Sequence, residues 1–173
     1  MRAAPRAASA WRSDATAAVV RARPVPPSSP TLKRARVQPL RRRAQFEAVL
    51  ASPPMVQTAH FALHGRLWSA DDAAWRATFG APGPWLGVVV PRRWARRAVT
   101  RNAIKRQVRA VAALHPPPAG AWVVRLKRAW PTSEFPSATS APLRRAVRAE
   151  LLQLLAQRLP QRLTAHRAQE PAC

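Results

Sequence analysis

Residues 86–109 constrain this chain more than any other part of it. Residues 86–93, L-G-V-V-V-P-R-R, are an apolar run that passes straight into cations. Residues 98–109 read A-V-T-R-N-A-I-K-R-Q-V-R and contain no acid. On a helix, Arg97, Arg101, Lys105 and Arg109 recur every fourth residue and form one basic stripe. Thr100, Ile104, Val108 and Val111 fall on an adjoining face that must pack on the rest of the domain. Like charges four apart cost an isolated helix a few tenths of a kcal/mol each. The stripe therefore calls for an anion opposite it, or for solvent screening. A buried strand feeding a basic loop and helix presents such a surface from a rigid base.

The charge balance of the whole chain points the same way. Thirty Lys and Arg face seven Asp and Glu, for a net charge of +23 in 173 residues. All but Lys33, Lys105 and Lys127 of those cations are arginine, the side chain suited to bidentate phosphate contact and base stacking. A polyanion, nucleic acid above all, is the expected partner. A membrane-surface protein and a DNA-compacting protein are the competing classes, and neither accounts for the strands found below. No apolar run is long enough to span a bilayer. The single Cys173 excludes a disulfide framework within the chain and fits a cytoplasmic location.

Protein-borne catalysis finds little support. His60, His64, His115 and His166 lack metal-ligand spacing with acids or Cys, so the His60/His64 pair reads as surface or cleft lining. Asp71-Asp72 reads as an exposed turn. No Gly-rich phosphate loop, nucleophile elbow or paired carboxylates occur, and two-metal hydrolysis lacks the acids it needs.

In chain order, residues 1–38 are Arg-, Ala-, Pro- and Ser-rich and read as a disordered basic extension. Their composition also resembles an organelle transit peptide, and a start assigned too far upstream is a third reading. The folded domain is expected over residues 39–159, with a flexible tail over 160–173. Residues 40–50 read as a helix with Phe46, Val49 and Leu50 on one face and Arg41, Arg42 and Arg43 in its first turns. Those cations oppose the helix dipole. Residues 58–66 alternate as a strand, with Phe61 and Leu63 on its core side. Residues 74–80 read as a second strand and 85–90 as a third, central one. The basic helix runs over about 96–114, and 121–127 is the fourth strand. A last helix starts at Ser140 as N-cap, carries Leu143, Val147, Leu151, Leu154 and Leu155 inward, and is closed by Pro160. The order α-β-β-β-α-β-α makes an α+β two-layer sandwich on a four-stranded sheet.

With these residues in view, the chain resembles the protein subunit of bacterial ribonuclease P. The family pattern is a strand G-x-x-V-S-K-K, a short loop, then R-N-x-x-K-R-x-x-R on a helix. Here Gly87-Val-Val-Val-Pro-Arg-Arg93 is followed, after seven residues, by Arg101, Asn102, Lys105, Arg106 and Arg109 at the matching spacing. The resemblance runs from about Leu40 to about Arg158. Two departures stand out: Ala103 where the family usually continues R-N-R, and Pro91 where many members have Ser. Arg96 or Arg97 is the candidate replacement for the lost cation.

The resemblance implies a left-handed β-α-β crossover through the basic helix, against the usual hand. It also implies a function. Such a protein assists a catalytic RNA, one protein with one RNA, in the Mg²⁺-dependent endonucleolytic removal of the 5′ leader of precursor tRNA. The Mg²⁺ is held mainly by the RNA. No membrane and no obligate protein partner are expected, and no catalytic residue in this chain. Carried over to RNA contact are Arg92, Arg93, Arg97, Arg101, Asn102, Lys105, Arg106 and Arg109. Arg43, Phe46 and His64 carry over to a leader-binding cleft, although Phe46 fits core packing equally well. Trp85, Trp94 and Trp122 are further stacking candidates or core residues in a chain without Tyr. The alternative is a general RNA-binding module of ribosomal-protein-like fold.

Overall fold

The computed structural model describes residues 36–169, apart from positions 132, 136, 138 and 139. Most of the expected N-terminal extension, and Cys173, lie outside the described residues. The elements are β1 (Gln38–Pro39), α1 (Arg43–Leu50), β2 (Val56–Gln57), β3 (Phe61–Leu67), α2 (Ala73–Phe79), β4 (Pro84–Val89), α3 (Ala98–Leu114), β5 (Gly120–Leu126), α4 (Ala141–Leu152), a π-helical segment (Gln153–Arg158) and α5 (Leu159–Gln169).

The fold is α+β, as expected, but the sheet has five strands in the order β1-β4-β5-β3-β2. β5 is central, and Gly120 to Val124 and Leu126 along it are all buried. β3 runs antiparallel to β5 over seven residue pairs, while β4 lies parallel to it on the other side. β4, α3 and β5 thus form a β-α-β unit, the one for which the family resemblance implies a left-handed crossover. The added strands, β1 and β2, are two residues each and sit at the two edges.

The expected strand at residues 74–80 is instead the helix α2. Trp75, Ala77 and Phe79 satisfy a period of two, but Trp75 and Phe79 also lie four apart. The ends decide between these. Asp72 is the N-cap, its carboxylate accepting from the Trp75 backbone N–H at 2.9 Å. Gly80 closes the helix at φ 77°, a conformation that suits glycine. Both rings are buried, 4.4 Å apart between centroids.

Successive residues of a strand point to opposite faces, and both faces of β5 are covered by helices. Ala121 and Val123 pack with Leu40, Val49, Trp75 and Phe79, so α1 and α2 cover one face. Trp122, Val124 and Leu126 pack with Phe61, Leu63 and Leu86 against Ile104, Val108 and Val111 of α3 and Leu143, Val147 and Leu151 of α4. The expected two layers are therefore corrected to helical cover on both sides. α1 lies on the face opposite α3 and α4, and α2 adds its two aromatic rings to that same face.

Pro160 does not close the last helix. The chain stays helical to Gln169, with one π-helical segment placed immediately ahead of Leu159-Pro160. A proline ring collides with the carbonyl four residues earlier in an α-helix, and a wider turn at that point relieves the collision. Leu154, Leu155 and Leu159 stay buried through the transition.

Candidate nucleic-acid interface

Between β4 and α3 the chain makes a tight turn. The carbonyl of Pro91 accepts from the backbone N–H groups of Trp94 and Ala95 at 3.1 and 3.2 Å. The Arg93 guanidinium lies 5.2 Å over the Trp94 ring, a cation–π contact. The loop is then tied to the helix behind it. Arg101 Nη1 donates to the carbonyls of Ala95, at 3.1 Å, and Arg96, at 2.5 Å. Arg101 is part-buried, and its Nη1 is engaged with the loop.

The helix α3 keeps the expected inner face. Ile104, Val108 and Val111 are buried, and Thr100 is half-buried. Ala103 is 8% exposed, so the position at which the family usually carries a third motif cation points inward here. Asn102, Arg106 and Arg109 are exposed, as are Arg92, Arg93 and Arg97 on the approach, and Lys105 is half-buried. Three of the five acids among the described residues, Glu47, Asp72 and Glu150, are engaged elsewhere. Glu47 pairs with Arg43 at 2.6 Å, Asp72 with Arg66, and Glu150 with His60 at 2.8 Å. No α3 cation has an acid partner among the described residues.

The stripe continues around the sheet edge. Arg109 and Ala113 share a cleft of ≈ 830 Å³ with Arg36, Val37, Leu40, Arg41 and Leu86. A second groove beside it gathers Arg41, Arg42, Arg76 and Trp85. Arg36, Arg41, Arg42 and Arg76 are not among the contact residues carried over from the family pattern. Their convergence depends on β1 pairing with β4, a two-residue contact that local patterning does not reveal.

The residues carried over to a leader cleft all lie on the α1 side of the sheet, Arg43 and Phe46 on α1 itself and His64 on β3 facing the end of that helix. Phe46 packs half-buried against the α1/α2 face, above Gly87, where an added Cβ would come within 2.5 Å of its ring. That face lies across the sheet from α3. His64 is 7% exposed, and its Nδ1 donates to the Ser52 carbonyl at 2.9 Å; it ties the end of α1 to β3 and presents no free ring. Arg43 is exposed and paired with Glu47. The start of α1 finds an alternative to an acid. The buried Gln45 Oε1 accepts from the N–H groups of Arg41 and Arg42 at 2.9 and 3.1 Å, while Nε2 donates to the Thr78 carbonyl. Trp122 is fully buried, and Trp85 donates its ring N–H to the Ala81 carbonyl.

A family model for ribonuclease P matches residues 35–149, across the sheet, the basic helix and the start of α4. The chain belongs to that family. Among curated relatives, the ribonuclease P protein component of Paraburkholderia xenovorans (strain LB400) is 33% identical over 113 residues, covering 64% of this chain and 73% of the relative. That of Ralstonia pickettii (strain 12J) is 35% identical over 112 residues, covering 64% and 71%. The structure of the Staphylococcus aureus RNase P protein aligns with a TM-score of 0.50 over 72% of this chain and 99% of that one. At 18% identity that likeness shows the fold. Ribonuclease P membership carries RNA binding and tRNA processing with it, as the protein part of an endoribonuclease that works with an RNA subunit.

Within this family the Arg101 geometry separates two kinds of motif arginine. Arg101→Ala removes two charge-assisted bonds and should loosen residues 91–97 by about 2 kcal/mol. Amide exchange across those residues should accelerate by tenfold or more, with the salt dependence of RNA binding nearly unchanged. Loss of a direct phosphate contact would instead lower the salt slope by about one, and that result would return Arg101 to the contact surface.

Proposed function

We propose that this chain is the protein subunit of a bacterial ribonuclease P. It binds one catalytic RNA and the 5′ leader of precursor tRNA, and assists Mg²⁺-dependent removal of that leader in the cytoplasm without an obligate protein partner. The observation that carries this reading is the acid-free cationic surface running from Arg92 and Arg93 along α3 to Arg109, and on to Arg41 and Arg36 at the sheet edge. Cations that displace condensed counterions bring two RNAs together at lower divalent concentration. Single-stranded leader is held by a positive groove and a stacking surface with little base readout. Phe46, beside Arg41 and Arg42 at the start of α1, is the stacking residue we assign to it. His64 positions that helix from beneath.

The hydrolytic chemistry belongs to the RNA. Among the described residues no group of three or more His, Cys, Asp or Glu could hold a metal ion, and Asp72 is committed to Trp75 and Arg66. The described residues therefore do not fit a Mg²⁺ cage. Among the described residues no helix is long and apolar enough to cross a membrane.

The test is precursor-tRNA cleavage at low Mg²⁺ by a bacterial ribonuclease P RNA, with and without this protein. Wild type should stimulate strongly. The Arg106→Ala, Arg109→Ala double variant should bind the RNA roughly tenfold or more weakly, with a salt slope reduced by about two. Tight salt-sensitive binding without stimulation would sink the reading and leave a general RNA-binding module of ribosomal-protein-like fold.

A further inference from the structure

A pocket of ≈ 460 Å³ opens where the β4–α3 loop meets the segment following β5. Trp94, Trp130 and Phe135 line it together with Ile104 and Leu143, and Arg93, Arg96 and Arg97 contribute its cations. No carboxylate lines it. We propose that this pocket takes one unstacked nucleobase of an RNA strand, with the flanking phosphates on the three arginines. The inference rests on the RNA-binding reading above and deepens it, because backbone contacts alone require no pocket.

The chemistry selects the occupant. An apolar slot with three cations and no acid suits a flat ring tethered to anions on both sides, which describes a nucleotide within a strand. An apolar side chain of a protein partner would fill the slot but leave the arginines without counter-charge. Bases splayed out of a helix are recognised by stacking on aromatic rings and arginine planes. Here Arg93 already lies on the Trp94 ring, and Trp130 is held by His60, stacked at 4.2 Å. The Trp94 indole N–H has no acceptor among the described residues, and base edges are rich in acceptors. The pocket is also built before RNA arrives. Pro91 fixes the backbone of Trp94 and Ala95, and Arg101 holds the carbonyls of Ala95 and Arg96.

The test uses two RNA hairpins that differ at one position, a bulged uridine in the first and a bulged abasic site in the second. Wild type should bind the uridine hairpin roughly tenfold more tightly. Ala129→Leu, which fills the pocket without touching its cations, should abolish the preference and leave the salt slope intact. Should that variant fail to fold, 4-thiouridine at the bulge of the wild-type complex should crosslink to Trp94, Trp130 or Phe135. Equal binding of both hairpins by wild type, still salt-dependent, would overturn the pocket and leave the RNA-binding reading standing. A preference that survives Ala129→Leu, or a crosslink elsewhere, would also overturn it. Absence of salt-dependent binding to either hairpin would bring down both readings.

Discussion

Gly65→Ala is expected to lower the stability of this domain by about 3 kcal/mol, at the upper end of overpacking effects. A Cβ at Gly65 would stand 2.2 Å from Trp122 Cζ3 and 2.4 Å from Cε3. The indole cannot yield. It is fully buried and held by its N–H on the Pro118 carbonyl at 3.0 Å, and β3 and β5 pair directly at these two residues. The melting temperature should fall by roughly 10 °C. Gly87→Ala makes a useful contrast, because its added Cβ meets only side-chain ends, the half-buried Phe46 ring, which can swing outward, and the Leu40 Cδ1 methyl at 2.9 Å. That variant should be the milder for stability and the more damaging for leader binding. Chemical denaturation of both settles the order, and a Gly65→Ala protein as stable as wild type would refute the pinned-indole account.

Glu150→Gln should cost about 2–3 kcal/mol at neutral pH, and the deficit should shrink in acid. Glu150 reaches from α4 to the start of β3. Its Oε1 accepts from the His60 backbone N–H at 2.6 Å, and its Oε2 lies 2.8 Å from His60 Nδ1. Burial pushes the Glu150 carboxyl upward, but hydrogen bonds from Thr58 and from the His60 backbone and ring outweigh it and hold the carboxyl below its usual range. A carboxylate with a depressed folded pKa stabilises above its unfolded value of about 4.3, and the stabilisation disappears as pH falls through the folded value. Wild type should therefore lose stability below about pH 4.5 along a slope that the Glu150→Gln variant lacks. Urea melts of both proteins from pH 3 to 8 test this, and a gap that stayed constant with pH would refute it.

What can be read from sequence follows the range of the forces involved. The inner face of α3, the apolar run of β4 and the Ser140 cap, which accepts from the Leu143 N–H at 3.3 Å, are settled by near neighbours and are legible. The helix α2 reads as a strand because spacing of four satisfies both periods, and its caps at Asp72 and Gly80 are the signal to weigh. Edge strand β1 depends on a partner some 47 residues away, Trp85 opposite Gln38. At the interface, residue types are legible and directions are not. Arg101 belongs to the basic pattern, yet its guanidinium turns back onto the loop. His64 belongs to an alternating strand, yet its face is roofed by helices that local alternation does not reveal. The grouping of Arg36, Arg41 and Arg109 in one cleft arises only once the sheet has closed.

The wide turn ahead of Pro160 also answers a problem of phase. Leu143, Val147, Leu151, Leu155, Leu159 and Leu163 recur at strict intervals of four. On an α-helix of 3.6 residues per turn, each interval overshoots by about 40°. Five of them would carry Leu163 about 200° round, to the side opposite Leu143. The π segment between Gln153 and Arg158 holds more residues in each turn and winds the row back, so that Leu159 is still 1% exposed and Leu163 still touches the core. A repeat of four sustained over twenty residues is thus a record, written in the sequence, of a helix that changes its pitch.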